Sequence, residues 1–325
     1  MNNDVSCLIC KKSNNTKFVD NYKFNVESDV KYFGNLKIFG CEDCDFYFVN
    51  PFPDLNKLNY YYSNIYRARG RPHYLGGGEQ VEKNYANEKN LNYLSYLSTF
   101  IDFKKIKNIF DFGAGIGDLG YLIKKRFNHI NLYCCENDKH SLDILKKRGY
   151  KNYKSLQEID KKFDLIITLH TIHQLTDLNY FFQLMKLLEE KGHLFFEVPN
   201  CPFNKNYIKR PYDSPQLLFF TRKSWEKISK ISQLNLIDLS YASFSLEKRF
   251  FYMSESKKRF DKWDINKTDY KNLIKKFIPL FLLNLRKKII QSRKYNNQYK
   301  SDLQINNIED SWCLRGIFKA TNNRK

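Results

Sequence analysis

A chain of 325 residues with 42% hydrophobic content has enough apolar material for one large α/β domain plus a smaller module around an ample core. Its longest apolar stretch, near Phe277–Leu285, is far short of the ~18–20 residues a membrane span needs, and no signal peptide is visible, so an unexported, cytoplasmic protein is expected. The net charge of +20 suits an anionic partner (nucleic acid, a membrane surface or a phosphorylated substrate), and it equally suits a genome rich in Lys, Asn, Ile, Tyr and Phe codons, with the lysines simply solvated.

The chain opens with two cysteine pairs, Cys7-x2-Cys10 and Cys41-x2-Cys44. Each pair brings two thiolates within reach of one ion, and two pairs close a tetrahedral shell of four. That shell leaves no open position, so a structural zinc in a small ribbon is expected, the strand-like residues between the pairs supplying its sheet. Disulfides are the competing reading, disfavoured in a reducing cytosol. Cys134, Cys135, Cys201 and Cys313 have no paired spacing and read as ordinary buried residues.

Asn50-Pro51-Phe52-Pro53 marks a strand-to-loop transition, and tyrosines then crowd toward Tyr61, Tyr62 and Tyr66. Arg67–Gly78, RARGRPHYLGGG, fits a lid or anion-binding loop and equally a surface linker. Glu79–Phe103 reads as helical, with Leu91, Leu94, Leu97 and Ile101 on one face.

Asn108–Glu136 carries the clearest chemistry. Ile109, Phe110 and Phe112 form a short apolar strand, and Gly113, Ala114, Gly115 and Gly117 allow a tight turn with little side-chain bulk. A helix over Leu119–Phe127 and a strand over Asn131–Cys135 follow, the strand delivering Glu136 at its end. Such a unit forms a nucleotide-binding crevice at the carboxyl ends of the strands. The spacing of Gly115, Gly117 and Gly120 admits a dinucleotide. Asp111 argues otherwise, because a carboxylate before the first glycine is unfavourable beside a pyrophosphate and favourable beside the sulfonium and ammonium of S-adenosylmethionine.

Downstream, a helix over Lys139–Arg148 stops at Gly149. Strands are expected at 150–156, 163–170 and 193–200, with an amphipathic helix over Asp177–Glu190 between the last two. This alternation implies a parallel, doubly wound sheet. Asn235–Ser240 and Trp312–Phe318 complete it. From Phe251 to Lys300 there are 14 Lys or Arg against 4 Asp or Glu. Leu273, Ile274, Phe277, Leu280, Leu283 and Leu285 make that segment partly amphipathic, as in a helical cap, an anionic-lipid surface or a nucleic-acid face.

The acid and glycines of Asp111–Gly117 resemble motif I of class I S-adenosylmethionine-dependent methyltransferases, in which the second-strand acid, here Glu136, accepts hydrogen bonds from the ribose hydroxyls. A tighter resemblance covers residues 7–240: bacterial methyltransferases of sugar and polysaccharide pathways carry two CxxC pairs, an NPxP-like turn, a tyrosine-rich segment and a VPN-ending strand. The implied fold is Rossmann-like α/β, and the implied acceptor is a sugar or nucleotide-sugar. The cofactor contacts are expected at Asp111, Gly113, Gly115, Gly117, Glu136, Asn137 and His170. His173 is the expected general base or acceptor ligand, from its place in the loop after the fourth strand; the family has Glu-His where this chain has His173-Gln174. Sugar C-methyltransferases of this kind carry a longer C-terminal domain, so O- or N-methylation is expected. The two alternatives are an RNA methyltransferase using the basic segment and a non-catalytic binding protein of the same fold.

The expected organisation is a zinc module at 1–55, linker and lid helices at 56–105, the cofactor-binding core at 106–250, a basic helical insertion at 251–305, and a final strand with tail at 306–325.

Overall fold

The computed structural model describes residues 5–24, 29–66, 87–203, 207, 216–232, 234–245 and 311–321. The glycine-rich loop at 67–78, the start of the helix read from Glu79 and the basic segment 251–305 lie outside them.

The N-terminal part contains β1 (Thr16–Asn21), a short α1 (Val30–Phe33), β2 (Lys37–Cys41) and β3 (Phe46–Asn50), paired antiparallel in that strand order. The Asn50–Pro51 peptide bond after β3 is cis. Helix α2 (Leu55–Tyr60) follows, its first turn capped by Asp54, which accepts from the Lys57 amide at 3.0 Å, and Tyr61–Tyr66 continue it as a π-helix. The helix expected over Glu79–Phe103 is α3 (Glu88–Ser98), capped by Asn87 through the Asn90 amide at 2.9 Å. Its inward face differs from the leucine pattern. Leu94 and Leu97 are buried as expected, but Leu91 is 37% exposed, and Tyr93 and Tyr96 take the inner positions.

The core alternates β4 (Asn108–Phe112), α4 (Asp118–Arg126), β5 (Asn131–Cys135), α5 (Lys139–Lys147), β6 (Tyr150–Tyr153), β7 (Phe163–Leu169), α6 (Asn179–Lys186) and β8 (Leu188–Pro199). Then come β9 (Leu218–Phe219), α7 (Arg222–Ser232), β10 (Asn235–Ser245) and β11 (Ser311–Lys319). The main sheet runs β10-β11-β8-β7-β4-β5-β6, parallel from β8 to β6 and antiparallel across β10, β11 and β8. This is the mixed α/β, Rossmann-like architecture the alternation implied. Strand order reverses between β4 and β7, which places the crevice at their carboxyl ends.

One departure has a physical cause. The helix expected over Asp177–Glu190 ends at Lys186, and Leu188–Glu190 are strand. Leu188 is fully buried and pairs with Phe163, while the Phe163 amide donates to the Leu187 carbonyl at 2.8 Å, so packing against β7 overrides helical periodicity. The N-terminal strands are joined to the core. Strand β9 pairs with β3 through Phe48 and Leu218 and adds a fourth strand to the N-terminal sheet. Cys7, Cys41, Cys44, Phe46 and Phe48 share one apolar cluster with Phe110 and Phe196 of the main sheet and Trp225 of α7.

Candidate active site

Where β4 ends, the chain turns through Gly113, Gly115 and Gly117 at φ of 71°, 58° and 69°, left-handed values that side-chain-bearing residues adopt at a cost. Space is as restrictive as conformation. A Cβ on Gly113 would run into the Thr171 hydroxyl, and one on Gly117 would come within 2.7 Å of Leu145 and the Tyr150 ring. The turn is pinned by the Gly113 amide donating to the Cys135 carbonyl at 2.9 Å and by the Tyr150 hydroxyl donating to the Gly117 carbonyl at 2.8 Å.

Glu136, at the end of β5, faces this turn. Its Oε2 accepts from the Gly115 amide at 2.7 Å, and its Oε1 accepts from the amides of Asn137 and Asp138, each at 2.9 Å. Asn137 therefore contributes its backbone to the arrangement. Asp111, on β4 beneath the turn, is 5% exposed. Burial, with the charges of Glu136 and Asp118 added, pushes its carboxyl up to about 8. A buried acid among acids is costly to ionise alone. A cation beside it relieves that cost, and Glu136 retains acceptor capacity for hydroxyls. The cradle thus fits a ligand that joins a cationic group to a ribose. Asp111, Gly113, Gly115, Gly117 and Glu136 lie together at this turn.

On the far side of the switch point, the loop after β7 carries both histidines. His170 sits at φ of 54°, and its amide donates to the Glu197 carbonyl at 2.8 Å. Its Nε2 lies 3.0 Å from Glu197 Oε1, and its ring stacks on Trp312 with centroids 5.4 Å apart and planes 14° from parallel. The His170 side chain keeps 24% exposure, whereas that of Glu197 keeps 2%. His173, three residues on, lies in a single 3₁₀ turn and is 6% exposed. Its carbonyl accepts from the Leu217 amide at 2.8 Å, and its ring meets that of His170 edge-on at 6.2 Å.

Glu197 is the hub of a buried polar cluster absent from the sequence-based expectations. It accepts from the Tyr93 hydroxyl on α3 and from Arg315 Nε at 2.8 Å, and Arg315 Nη2 forms an ion pair with it at 2.7 Å. Arg315 Nη1 also donates to Asn92 Oδ1 at 2.8 Å. Burial opposes ionisation of Glu197, but Arg315, the His170 hydrogen bond and Lys89 hold its carboxyl well below the ordinary carboxylate range. A signal was present: Glu197 and Arg315 are the only charged residues inside the apolar runs HLFFEVPN and WCLRGIF, where an unpaired charge would be prohibitive. Trp312 in turn packs against a cluster containing Tyr61, Cys201, Tyr207 and Phe219, with Tyr62 and Phe203 at its edge. His170, Glu197 and Cys313 also lie close enough for one ion, but Glu197 is already saturated and Arg315 lies against the same carboxylate, which disfavours a cation.

Away from the crevice, the Sγ atoms of Cys7, Cys10, Cys41 and Cys44 all lie within 4.8 Å of one another. Cys10 and Cys41 are 3.8 Å apart, too far for a disulfide and close to the edge of a thiolate tetrahedron around an ion with bonds of about 2.3 Å. The Ile9 amide reaches Cys7 Sγ at 3.4 Å, as in a metal-binding knuckle. The donor set fits a tetrahedral cation.

Residues 80–239, just under half of the chain, match the family described as a methyltransferase domain. Searched against curated proteins, the chain has no significant match. Solved structures similar to it include coclaurine N-methyltransferase bound to N-methylheliamine and S-adenosylhomocysteine, at 11% identity, TM-score 0.46, and 71% and 72% coverage of this chain and that one. Another is an S-adenosylmethionine-dependent methyltransferase from Archaeoglobus fulgidus, at 15% identity, TM-score 0.46, and coverage of 78% and 99%. A third is the O-methyltransferase of a Brevibacillus brevis polyketide multienzyme in complex with S-adenosylhomocysteine, at 16% identity, TM-score 0.43, and coverage of 77% and 79%.

Proposed function

We propose that this chain, an S-adenosylmethionine-dependent methyltransferase, passes its methyl group to a sugar or nucleotide-sugar in a surface-polysaccharide pathway. S-adenosylmethionine supplies a methyl group already activated by its sulfonium. The protein's task is therefore alignment and, for some acceptors, proton removal. Asp111 would neutralise the cationic part of the cofactor, Glu136 would hold its ribose, and Gly113, Gly115 and Gly117 would let the backbone approach it.

The observation that carries the acceptor reading is the wall beside His170. Trp312, whose ring lies against His170, sets an aromatic side chain next to the Glu197 cluster, a combination suited to a sugar's apolar C–H face and its hydroxyls. The cysteine pairs and tyrosine-rich segment, shared with sugar-pathway methyltransferases, agree with it. We assign zinc to the four-cysteine cage as a structural ion, since four thiolates leave no position for a substrate.

The test offers isotope-labelled S-adenosylmethionine with extracted nucleotide-sugars and polysaccharide precursors in one arm and total RNA in the other. Label is expected in a sugar fraction. Label confined to RNA, with binding that weakens steeply with salt, would replace the sugar reading with the nucleic-acid one.

A further inference from the structure

The geometry points to His170 as the group that takes the proton from an acceptor hydroxyl, and to Glu197 as the residue that positions it, so the transfer is O-methylation. This rests on the methyltransferase reading above and deepens it. His170 stands on the loop after β7, beside the glycine turn, where Thr171 touches Gly113. It is the more exposed of the two loop histidines, and its Nε2 lies 3.0 Å from the Glu197 carboxylate. His173 is nearly enclosed, and its turn is fixed by the Leu217 amide, which suits a wall better than a proton carrier.

The surroundings of His170 are arranged for a base. A hydrogen bond from Nε2–H to Glu197 fixes the tautomer, leaving Nδ1 as the basic nitrogen, and the Trp312 face holds the ring plane. Glu197 can do this because Arg315, Tyr93 and Asn92 hold it in place. Among the described residues, Glu197 from β8 and Cys313 from β11 lie within reach of the His170 ring, Trp312 of β11 stacks on it, His173 of its own loop meets it edge-on, and Tyr93 of α3 and Arg315 of β11 act on it through Glu197. The nearest charged partner is thus the carboxylate, which favours the imidazolium formed on proton uptake.

The balance is simple. The hydroxyl oxygen forms a bond to the methyl carbon, the carbon–sulfur bond breaks with its electron pair passing to sulfur, and the hydroxyl proton moves to His170. The products are a methyl ether, S-adenosylhomocysteine and an imidazolium, which returns its proton to water.

Nitrogen-15 NMR of histidine-labelled protein tests the arrangement without an acceptor, with His170→Gln providing the assignment. Neutral His170 is expected as the Nε2–H tautomer. Its titration midpoint should fall by about a unit in Glu197→Gln, and by less in Glu197→Asp, which keeps the charge should the first variant fold poorly. The opposite tautomer, or a midpoint unmoved in both variants, would overturn the dyad. In the turnover arm, His170→Gln should lose about 100-fold or more in methyl transfer to precursor extract while its S-adenosylmethionine affinity, read by calorimetry, stays within about threefold. Equal losses in both would make His170 a cofactor residue, and a product methylated on carbon or nitrogen would also sink the proposal. Failure of the wild type to bind S-adenosylmethionine would instead fault the parent reading.

Discussion

Asp111 is the residue whose chemistry is most exposed to test. Its carboxyl, pushed up to about 8 by burial and by Glu136 and Asp118, is largely protonated at neutral pH in the free protein. A cationic ligand prefers the ionised form, so binding must release that proton. S-adenosylmethionine affinity is expected to rise as pH increases toward about 8, by up to tenfold per unit, and then level. Calorimetry in buffers of differing ionisation enthalpy reads both the affinity and the proton. Asp111→Asn should abolish the pH dependence and cost on the order of tenfold to a hundredfold in affinity. Gly113→Ala makes a complementary case. Its φ of 71° and the obstruction by Thr171 both oppose a methyl group, so a loss of roughly 1–3 kcal/mol in thermal unfolding is expected, with cofactor binding impaired. His193 acts far from the crevice. It is 8% exposed, and burial, aided by Lys319, brings its imidazole down from 6.5 to about 4. The unfolded chain therefore binds the extra proton first, and stability should fall as pH drops from about 6.5 to about 4, by on the order of 2–3 kcal/mol. His193→Phe should flatten that limb in urea titrations at successive pH values; an unchanged slope would refute it.

Individual elements show what a sequence makes legible. The turn at Asp111–Gly117, Glu136 and the strands β4, β5, β7 and β8 were readable because their determinants are local: short apolar runs, glycines in order, an acid at a strand end. Helix α3 was readable as a helix but not in its inner face, since Tyr93 and Tyr96 are chosen by partners on β8 and β10 rather than by periodicity. Strand β9 is two residues long and exists because β3 pairs with it, so no pattern in its own sequence announces it. The Glu197 cluster joins residues of α3, the loop after β7, β8 and β11, and Asn92 and Arg315 stand 223 positions apart. Its charges were visible in apolar runs, but their pairing was not. That pairing makes β11 energetically dependent on β8. Arg315→Met should leave Glu197 buried and unpaired, costing ~3–5 kcal/mol and lowering the melting temperature by roughly 4–7 °C. Adding Glu197→Gln should restore part of the loss. A single variant as stable as the wild type would mean the pair is solvated.

For the molecule as a whole, the question is whether the cysteine cage is an appendage or a foundation. No helix among the described residues is long and apolar enough to cross a membrane. An independent module would melt by itself when its ion is removed and leave the crevice intact. The packing argues against that. Strand β9, from the chain just before α7, completes the N-terminal sheet, and the Thr221 hydroxyl donates to the Asp45 carbonyl at 2.7 Å across the same junction. Cys7, Cys41 and Cys44 lie in one apolar cluster with Trp225, Phe110 and Phe196, which back the strands that carry Asp111 and Glu197. Losing the ion would leave four crowded thiols, Cys7 pushed up to about 12 chiefly by burial, without the charge that favours their thiolates. The purified chain is therefore expected to hold about one zinc. Chelation under reducing conditions, or Cys44→Ser, should move a single calorimetric unfolding transition to lower temperature and weaken S-adenosylmethionine binding with it. A new low-temperature transition with the main one unmoved would show instead that the module melts alone. The shared cluster predicts one transition because it cannot lose its cysteine side and keep the rest buried.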